Sequence, residues 1–192
     1  GEFMHLIGPL IIGAFAITIG STVLSSEEEN KTIDQFLSLS ISRSRYFTEK
    51  YFSLVLSILF VSLIFSITLK ICDLIYDINL NLSSILYSGL ALFIYGLTVG
   101  SITYLSGSIF AKTSQAAGVG AAVAIIGYIF DSVYKTVSSM NFLKYISLHY
   151  YYNDNKVILN GFDTFHLIIL LIIILASFFI GIYIFNKRDI KS

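Results

Sequence analysis

The 192-residue sequence contains no tryptophan, one proline and one cysteine, and only 12% of its residues are charged. The single cysteine, Cys72, excludes an internal disulfide and a cysteine-rich metal cluster. One proline with thirteen glycines excludes collagen-like and low-complexity chains. A soluble domain has about a quarter charged residues, so this chain lacks the polar surface of one. Because 56% of the residues are hydrophobic, the composition indicates an integral membrane protein.

An excess of charge of either sign is also absent. Twelve Lys and Arg residues balance twelve Asp and Glu residues. This balance argues against a basic surface for nucleic acid and against an acidic tail, so we expect no nucleic-acid partner. The three histidines (His5, His149 and His166) have no carboxylate or cysteine at metal-ligand spacing. We therefore predict no metal site and place these histidines at the outer boundary of the bilayer.

Five apolar stretches are long enough to cross a bilayer, which takes about 20 mainly apolar residues. They predict an all-α integral membrane protein with one transmembrane domain over residues 4–192. Residues 1–3 resemble a cloning remnant that precedes Met4. The predicted spans are, approximately, residues 6–24, 51–69, 85–105, 113–130 and 167–185.

Basic residues are concentrated on one side of these spans. Segments 25–50, 106–113 and 186–192 together contain eight Lys and Arg residues, whereas the segments on the other side contain four. Cytoplasmic loops of membrane proteins are enriched in Lys and Arg. We therefore predict a multi-pass protein of the cell membrane, with its C-terminus and residues 25–50 in the cytoplasm.

Segment 25–50 predicts a short amphipathic helix. Asn30 or Thr32 can cap its start, Asp34 lies in its first turn, and Arg43 and Arg45 lie at its far end, where the helix dipole favours cations. One side of the helix is apolar because four of its side chains follow helical spacing. These side chains are Ile33, Phe36, Leu37 and Ile41.

The amphipathic helix has two possible partners. It could lie on the lipid surface, or it could be presented to another protein. Three consecutive glutamates (Glu27–Glu29) precede it, and an anionic inner leaflet would repel them. The acidic cluster therefore favours a protein partner by a small margin.

A second element outside the spans is residues 138–162, which mix apolar side chains with three consecutive tyrosines (Tyr150–Tyr152). Two interpretations fit this composition. The element could re-enter the bilayer as a hairpin, or it could lie flat on the bilayer as part of an aromatic belt. The sequence does not separate the two.

Two polar features of the spans have structural interpretations. Asp131 lies at the end of the fourth span, and we predict that it pairs with Lys135 four residues later rather than acting in transport. The stretch 106–113 resembles a phosphate-binding loop, but Ser106 and Ala111 stand where that motif needs glycine. We therefore predict no nucleotide site in this chain.

Small residues at four-residue spacing allow membrane helices to approach each other closely. The fourth span is the richest in glycine and alanine, so we predict that it is the most enclosed. Close helix packing is predicted at Gly96, Gly100, Gly118 and Gly181, and in the turn of the fourth span that ends at position 128 (Tyr128).

At segment 25–50 the sequence resembles the permease subunits of type-2 ABC exporters. Those subunits have an acidic pair at the end of an early span, then Gly-Thr, a short leucine-rich helix, Ser-x-Pro-x-Ser-Arg, and a lysine that opens the next span. Lys31 stands in place of the usual glycine, and Ser40 in place of the proline. The matching residues are, in order, Glu28, Glu29, Thr32, Asp34, Leu37, 38–43 and Lys50.

Two further segments resemble the same family and follow in the same order. Residues 145–161 resemble the segment before the last span, and residues 183–190 resemble a Phe-x-x-Arg-Asp tail. The resemblance therefore extends over nearly the whole chain. Permeases of this family typically have six spans, whereas five are counted here, and the missing one is the family's first.

The resemblance implies a transport subunit without catalytic activity. The amphipathic element would be a coupling helix that docks on a separate ABC ATPase, which would bind ATP and Mg, while this chain would hold no cofactor. A second permease half, identical or different, would complete the substrate pathway across the lipid bilayer. The residues assigned to ATPase coupling are Glu27, Glu28, Glu29, Thr32, Asp34, Phe36, Leu37, Arg43, Arg45 and Lys50.

Two other functions compete with export. The chain could be an intramembrane enzyme, such as a protease, or a membrane scaffold that transports nothing. Catalytic residues of an intramembrane enzyme face a cavity within the spans, and the spans of this chain are nearly free of ionisable residues. We therefore favour the permease over both alternatives.

Overall fold

The structure, a computed structural model, describes residues 7–30, 42–153, 161 and 163–188. These residues contain helices and connecting turns and no strand, as predicted for an all-α protein. A 3₁₀ helix (Ser138–Tyr145) lies between the fourth and fifth α-helices. The α-helices are α1 (Gly8–Glu29), α2 (Arg43–Tyr76), α3 (Leu82–Phe110), α4 (Thr113–Thr136), α5 (Leu148–Asn153) and α6 (Thr164–Lys187).

Five of the helices, α1 to α4 and α6, are long and apolar enough to cross a membrane, which confirms the predicted number of spans. A helix satisfies its backbone hydrogen bonds internally, as a chain in hydrocarbon must. The helices extend beyond the apolar stretches, most of all α2, which begins at Arg43. Ser42 caps this end, since its Oγ accepts a hydrogen bond from the backbone N–H of Arg45 at 3.3 Å.

Helix α3 is the centre of the bundle, and it packs against α1, α2, α4 and α6. In the 18-residue apolar stretch of α3, 72% of the residues are buried, against 22% in the corresponding stretch of α4. The prediction that the fourth span is the most enclosed is therefore wrong. Glycine and alanine allow close approach but do not require it, and α4 leaves one side of its small residues uncovered.

Glycines mark the places where helices cross most closely. A Cβ atom at Gly96 would lie 2.7 Å from Ile12 Cγ1, and one at Gly181 would lie 2.9 Å from Phe47 Cζ. Gly100 also lies against side chains of α1 and α2. The tightest contact with backbone is at Gly20, which was not predicted, because its Cβ would lie 2.8 Å from the carbonyl oxygen of Gly100.

The predicted packing positions on α4 lie in two different environments. Gly118 is exposed, and no atom of the described residues lies within 4 Å of the place a Cβ would take. Position 128 is a tyrosine whose ring packs edge-on against His149 at 5.5 Å. The buried glycine of that turn is Gly127, which lies against the backbone nitrogen of Leu148. Among the described residues α4 thus packs through Gly120 and Gly127 and not through Gly118.

Helix α2 presents a long apolar surface to the outside of the bundle. It is 34 residues long, or about 50 Å at 1.5 Å per residue. Large exposed side chains recur along this surface from Phe52 through Phe60 and Ile67 to Leu74. Asp73, in the last turns, is buried and receives a hydrogen bond from Lys70 at 2.8 Å. The exposed side of α2 is therefore apolar over most of the helix.

The segment that follows α4 has two unlike halves. The 3₁₀ helix and the turn after it expose Phe142, Tyr145 and Ile146, each at 60% or more. Helix α5, by contrast, buries Leu148 and Tyr152 against α3, α4 and α6. The exposed half has the character of an aromatic belt and the buried half that of an inserted segment. Residues 154–160 and 162 of the predicted element lie outside the described residues.

The buried half is fixed by Ser147, which is fully buried. Its Oγ donates to the carbonyl oxygen of Gly127 at 2.6 Å and accepts from the N–H of Tyr150 at 3.1 Å. We expect Ser147→Ala to lower the free energy of unfolding by about 1–3 kcal/mol, since buried polar groups lose a partner. The change is measured by denaturant titration of the purified protein in micelles.

The matched control is Ser53→Ala, because the exposed Ser53 hydroxyl bonds only within its own helix. A loss below about 0.5 kcal/mol is expected there. Equal losses for the two variants would contradict the anchoring role of Ser147.

One carboxylate and two imidazole groups near this end of the bundle are buried. Lys135 Nζ donates to Asp131 Oδ2 at 2.7 Å, which confirms the predicted pair. His149 and His166 are buried among tyrosine rings, including Tyr95 and Tyr150, rather than lying at the bundle surface. Their burial could not be predicted from local sequence because the covering rings come from other helices. His5 lies outside the described residues.

Candidate functional site

The end of α1 carries Glu27, Glu28 and Glu29, and each carboxylate contacts a different helix. We call these glutamates and their partners on α2, α4 and α6 the acidic junction. In an α-helix, successive side chains point about 100° apart around the axis. Three consecutive residues at the end of α1 can therefore reach three different neighbouring helices.

Glu27 binds α2. Lys50 Nζ donates to Glu27 Oε1 and Tyr46 Oη donates to Glu27 Oε2. The ammonium of Lys50 also lies 5.5 Å from the centre of the Tyr46 ring, within the range of a cation–π contact. Lys50 and Glu27 are largely covered, with 26% and 21% of their side chains exposed. Water and salt therefore weaken this ion pair less than they weaken an ion pair at the surface.

Glu28 binds α6. Arg188 Nη2 donates to Glu28 Oε2, and only 6% of the Glu28 side chain is exposed. Arg188 follows the last residue of α6, where a cation is favoured by the helix dipole. Its backbone oxygen accepts a hydrogen bond from Arg43 Nη1 at 2.9 Å. Arg188 thus contacts both α1 and α2.

Glu29 binds the first residue of α4. The N–H of Thr113 donates to Glu29 Oε2 at 3.1 Å, at an exposed position. The first amides of a helix have no partner within the helix, so Glu29 caps α4 from a distance of 84 residues along the chain. The connection from α3 to α4 is only Ala111 and Lys112, with Ala111 at a φ of +56°.

An aromatic layer lies directly beneath the junction. Phe47 is fully buried, and its ring lies 4.8 Å from that of Tyr104 and 5.5 Å from that of Phe185. Tyr104 Oη donates to the carbonyl oxygen of Phe47 at 2.8 Å. The Tyr46 ring stacks on Phe185 at 6.1 Å. The carboxylates are therefore held from below by packing as well as by their cationic partners.

The residues assigned to ATPase coupling fall into three groups in the structure. Glu27, Glu28, Glu29, Arg43 and Lys50 contact other helices of the chain through hydrogen bonds or ion pairs. Arg45 lies on the exposed side of α2 and pairs with Glu49, with 72% and 59% of these side chains exposed. Four others lie outside the described residues: Thr32, Asp34, Phe36 and Leu37.

The partners of the glutamates were not predicted. Arg188 stands in the tail motif, but it is 160 residues from Glu28, and local spacing gives no sign of their contact. Tyr46 and Thr113 were likewise not assigned a role. An uncompensated acidic run next to apolar spans was the available signal, because buried carboxylates need cationic or amide partners.

Comparison with known proteins decides the family. Residues 2–190 match the family described as ABC-2 family transporter protein. The chain belongs to the ABC-2 transporter family. No curated protein and no solved structure matches the chain.

Membership of the ABC-2 family makes the five long helices a multi-pass membrane permease component. The predicted resemblance is thereby confirmed, since the match covers both the acidic junction and the last span. In the part of the ABC-2 chain that the structure describes, no three His, Cys, Asp or Glu residues are grouped to hold a metal ion.

Proposed function

We propose that this ABC-2 protein is the permease subunit of an ATP-driven exporter. The observation that carries the proposal is the family match over residues 2–190. In this proposal a separate ABC ATPase binds ATP and Mg and hydrolyses the nucleotide, and this chain holds no cofactor. A second permease half, identical or different, completes the substrate pathway.

The acidic junction supports coupling at one end of the bundle. Glu29 is the last residue of α1 and Ser42 caps the start of α2, so residues 31–41 connect two helix ends directly. A force applied between these positions would therefore act on α1 and α2 directly rather than through slack chain. In our proposal this end faces the cytoplasm, as the distribution of Lys and Arg favours.

An intramembrane enzyme is the weaker alternative. Two of the carboxylates on the long helices, Asp73 and Asp131, each pair with a lysine on their own helix, Lys70 and Lys135. These pairs lie near helix ends. A hydrolytic site would need ionisable groups that converge on a cavity within the spans.

The proposal is tested at the predicted apolar stripe. We expect Leu37→Asp to abolish association with the partner ATPase, because a carboxylate on the apolar side would be buried unpaired in the interface. The control is Leu39→Asp, two residues away and off the predicted stripe. The chain is co-expressed with ABC ATPases, extracted in detergent and purified through a tag on the chain, and the ATPase recovered is quantified.

Recovery of the ATPase with unmodified chain and with Leu39→Asp, but not with Leu37→Asp, is the expected result. Failure to recover any ATPase would contradict the proposed function. Equal recovery with both variants would show that the ATPase docks elsewhere.

A further inference from the structure

At the acidic junction, α1, α2 and α6 are joined in all three pairwise combinations. Glu27 joins α1 to α2 through Lys50, and Glu28 joins α1 to α6 through Arg188. The third side has two contacts of its own, because Arg43 donates to the backbone oxygen of Arg188 and Asn186 Nδ2 donates to Ser44 Oγ at 2.8 Å. Three bodies linked pairwise cannot rotate independently, so these helix ends form a closed triangle.

The Glu28–Arg188 side of the triangle is also covered from water. Glu28 has 6% of its side chain exposed and Arg188 20%. Charged hydrogen bonds in such surroundings are stronger than neutral ones at a surface. The stacked rings of Tyr46 and Phe185 add an apolar contact between α2 and α6 directly beneath them.

Helix α4 is attached to the same end far more weakly. At its first residue α4 is held by hydrogen bonds from Thr113 to Glu29 at an exposed position, where Lys112 adds only a charge interaction. Further along, α4 packs on α1 and α3, where Gly120 lies against Ile17 and Thr103. The start of α4 can therefore separate from α1 without breaking a buried ion pair.

We propose that the ends of α1, α2 and α6 move as one rigid unit and that the start of α4 separates from this unit during the transport cycle. Arg188 is the positioning residue, because its contacts join the last span, α6, to α1 and α2. This inference rests on the proposed function, because ATP binding to the partner supplies the movement. It assigns the last span to the moving unit through a contact that the family match does not describe.

The test uses two cross-links, both at the acidic-junction end of the bundle. The protein also carries Cys72→Ser, so that the introduced cysteines are its only thiols. Ser44→Cys with Asn186→Cys links α2 to α6, and Glu29→Cys with Thr113→Cys links α1 to α4. Each pair is closed with a short bifunctional thiol reagent in membranes that contain the co-expressed ATPase. The measured quantity is the ATPase rate of the purified complex, before linking and after it.

The α2–α6 link is expected to leave the rate within about twofold, since the linked helices do not move relative to each other. The α1–α4 link is expected to lower it about tenfold or more, since misplacement of a moving part has effects of that order. Inhibition by the α2–α6 link would overturn the rigid unit. An active complex with a closed α1–α4 link would overturn the separation of α4.

The role of Arg188 has a readout that needs no ATPase. The rate at which the 44–186 pair is linked reports how closely α2 and α6 are held, and Arg188→Ala is expected to slow it about tenfold. Lys187→Ala, an exposed neighbour, should leave the rate unchanged. If Arg188→Ala fails to fold, the charge exchange Glu28→Arg with Arg188→Glu replaces it, and linking at the unmodified rate is expected.

These outcomes separate the two proposals. Unchanged linking in Arg188→Ala, or no rescue by the exchange, contradicts the positioning role even where the ATPase binds. Absence of any ATPase complex contradicts the proposed function while the linking rates still decide whether Arg188 joins α6 to the triangle.

Discussion

Glu28→Ala is expected to lower the free energy of unfolding by about 3–5 kcal/mol, as removal of one member of a buried ion pair generally does. The carboxylate is almost fully covered, and its loss leaves the Arg188 guanidinium largely buried without its anion. Arg188 Nη1 already has no hydrogen-bond partner among the described residues. The variant therefore places an uncompensated charge in the protein interior.

The measurement is denaturant unfolding of the purified protein in micelles, followed by circular dichroism. Glu49→Ala is the control, because it removes a carboxylate from the exposed pair with Arg45 on the adjacent helix. Exposed pairs contribute less than about 1 kcal/mol. If the two variants lose the same stability, Glu28 is not held in a buried pair.

Gly20→Val is expected to cost at least about 3 kcal/mol, at the upper end of overpacking effects. A Cβ at this position would lie 2.8 Å from the carbonyl oxygen of Gly100 and 3.1 Å from Thr103 Cβ. The oxygen belongs to the backbone of the central helix, which cannot move aside as a flexible side chain can. The variant must therefore separate α1 from α3 along the crossing.

Gly118→Val is the matched control, because it adds the same side chain to a transmembrane helix where no described atom lies within 4 Å. Its stability is expected to stay within about 0.5 kcal/mol of the unmodified protein. Yield of folded protein in micelles and its melting temperature report both changes. Similar melting temperatures for the two variants would show that α1 and α3 do not cross at Gly20.

The spans could be predicted because each one is specified by its own residues. An apolar run of about 20 residues in a bilayer has no alternative to helix, since its backbone groups must bond internally. The acidic run was also visible, and its repulsion by an anionic inner leaflet favoured a protein partner. The contacts of the run were not visible, because Glu28 and Arg188 meet only after the whole bundle has assembled.

Packing positions were predicted less well for a related reason. Ala16 and Gly20 have the same four-residue spacing as Gly96 and Gly100, and they lie at the α1–α3 crossing, although they are not among the predicted packing positions. Gly118 has the same spacing to Ala122, and no neighbouring helix among the described residues lies against it. Spacing shows where a helix allows close approach, and the arrangement of the other helices decides which of those places is used.

The length of the apolar surface on α2 has a consequence for the surrounding lipid. Residues 52–74 extend about 33 Å along the helix axis, whereas the hydrocarbon of an average bilayer is about 30 Å thick. Hydrophobic mismatch of this sign is relieved by helix tilt or by local thickening of the bilayer. The energy of this permease therefore depends on acyl-chain length, and lipids with longer chains fit its second helix better.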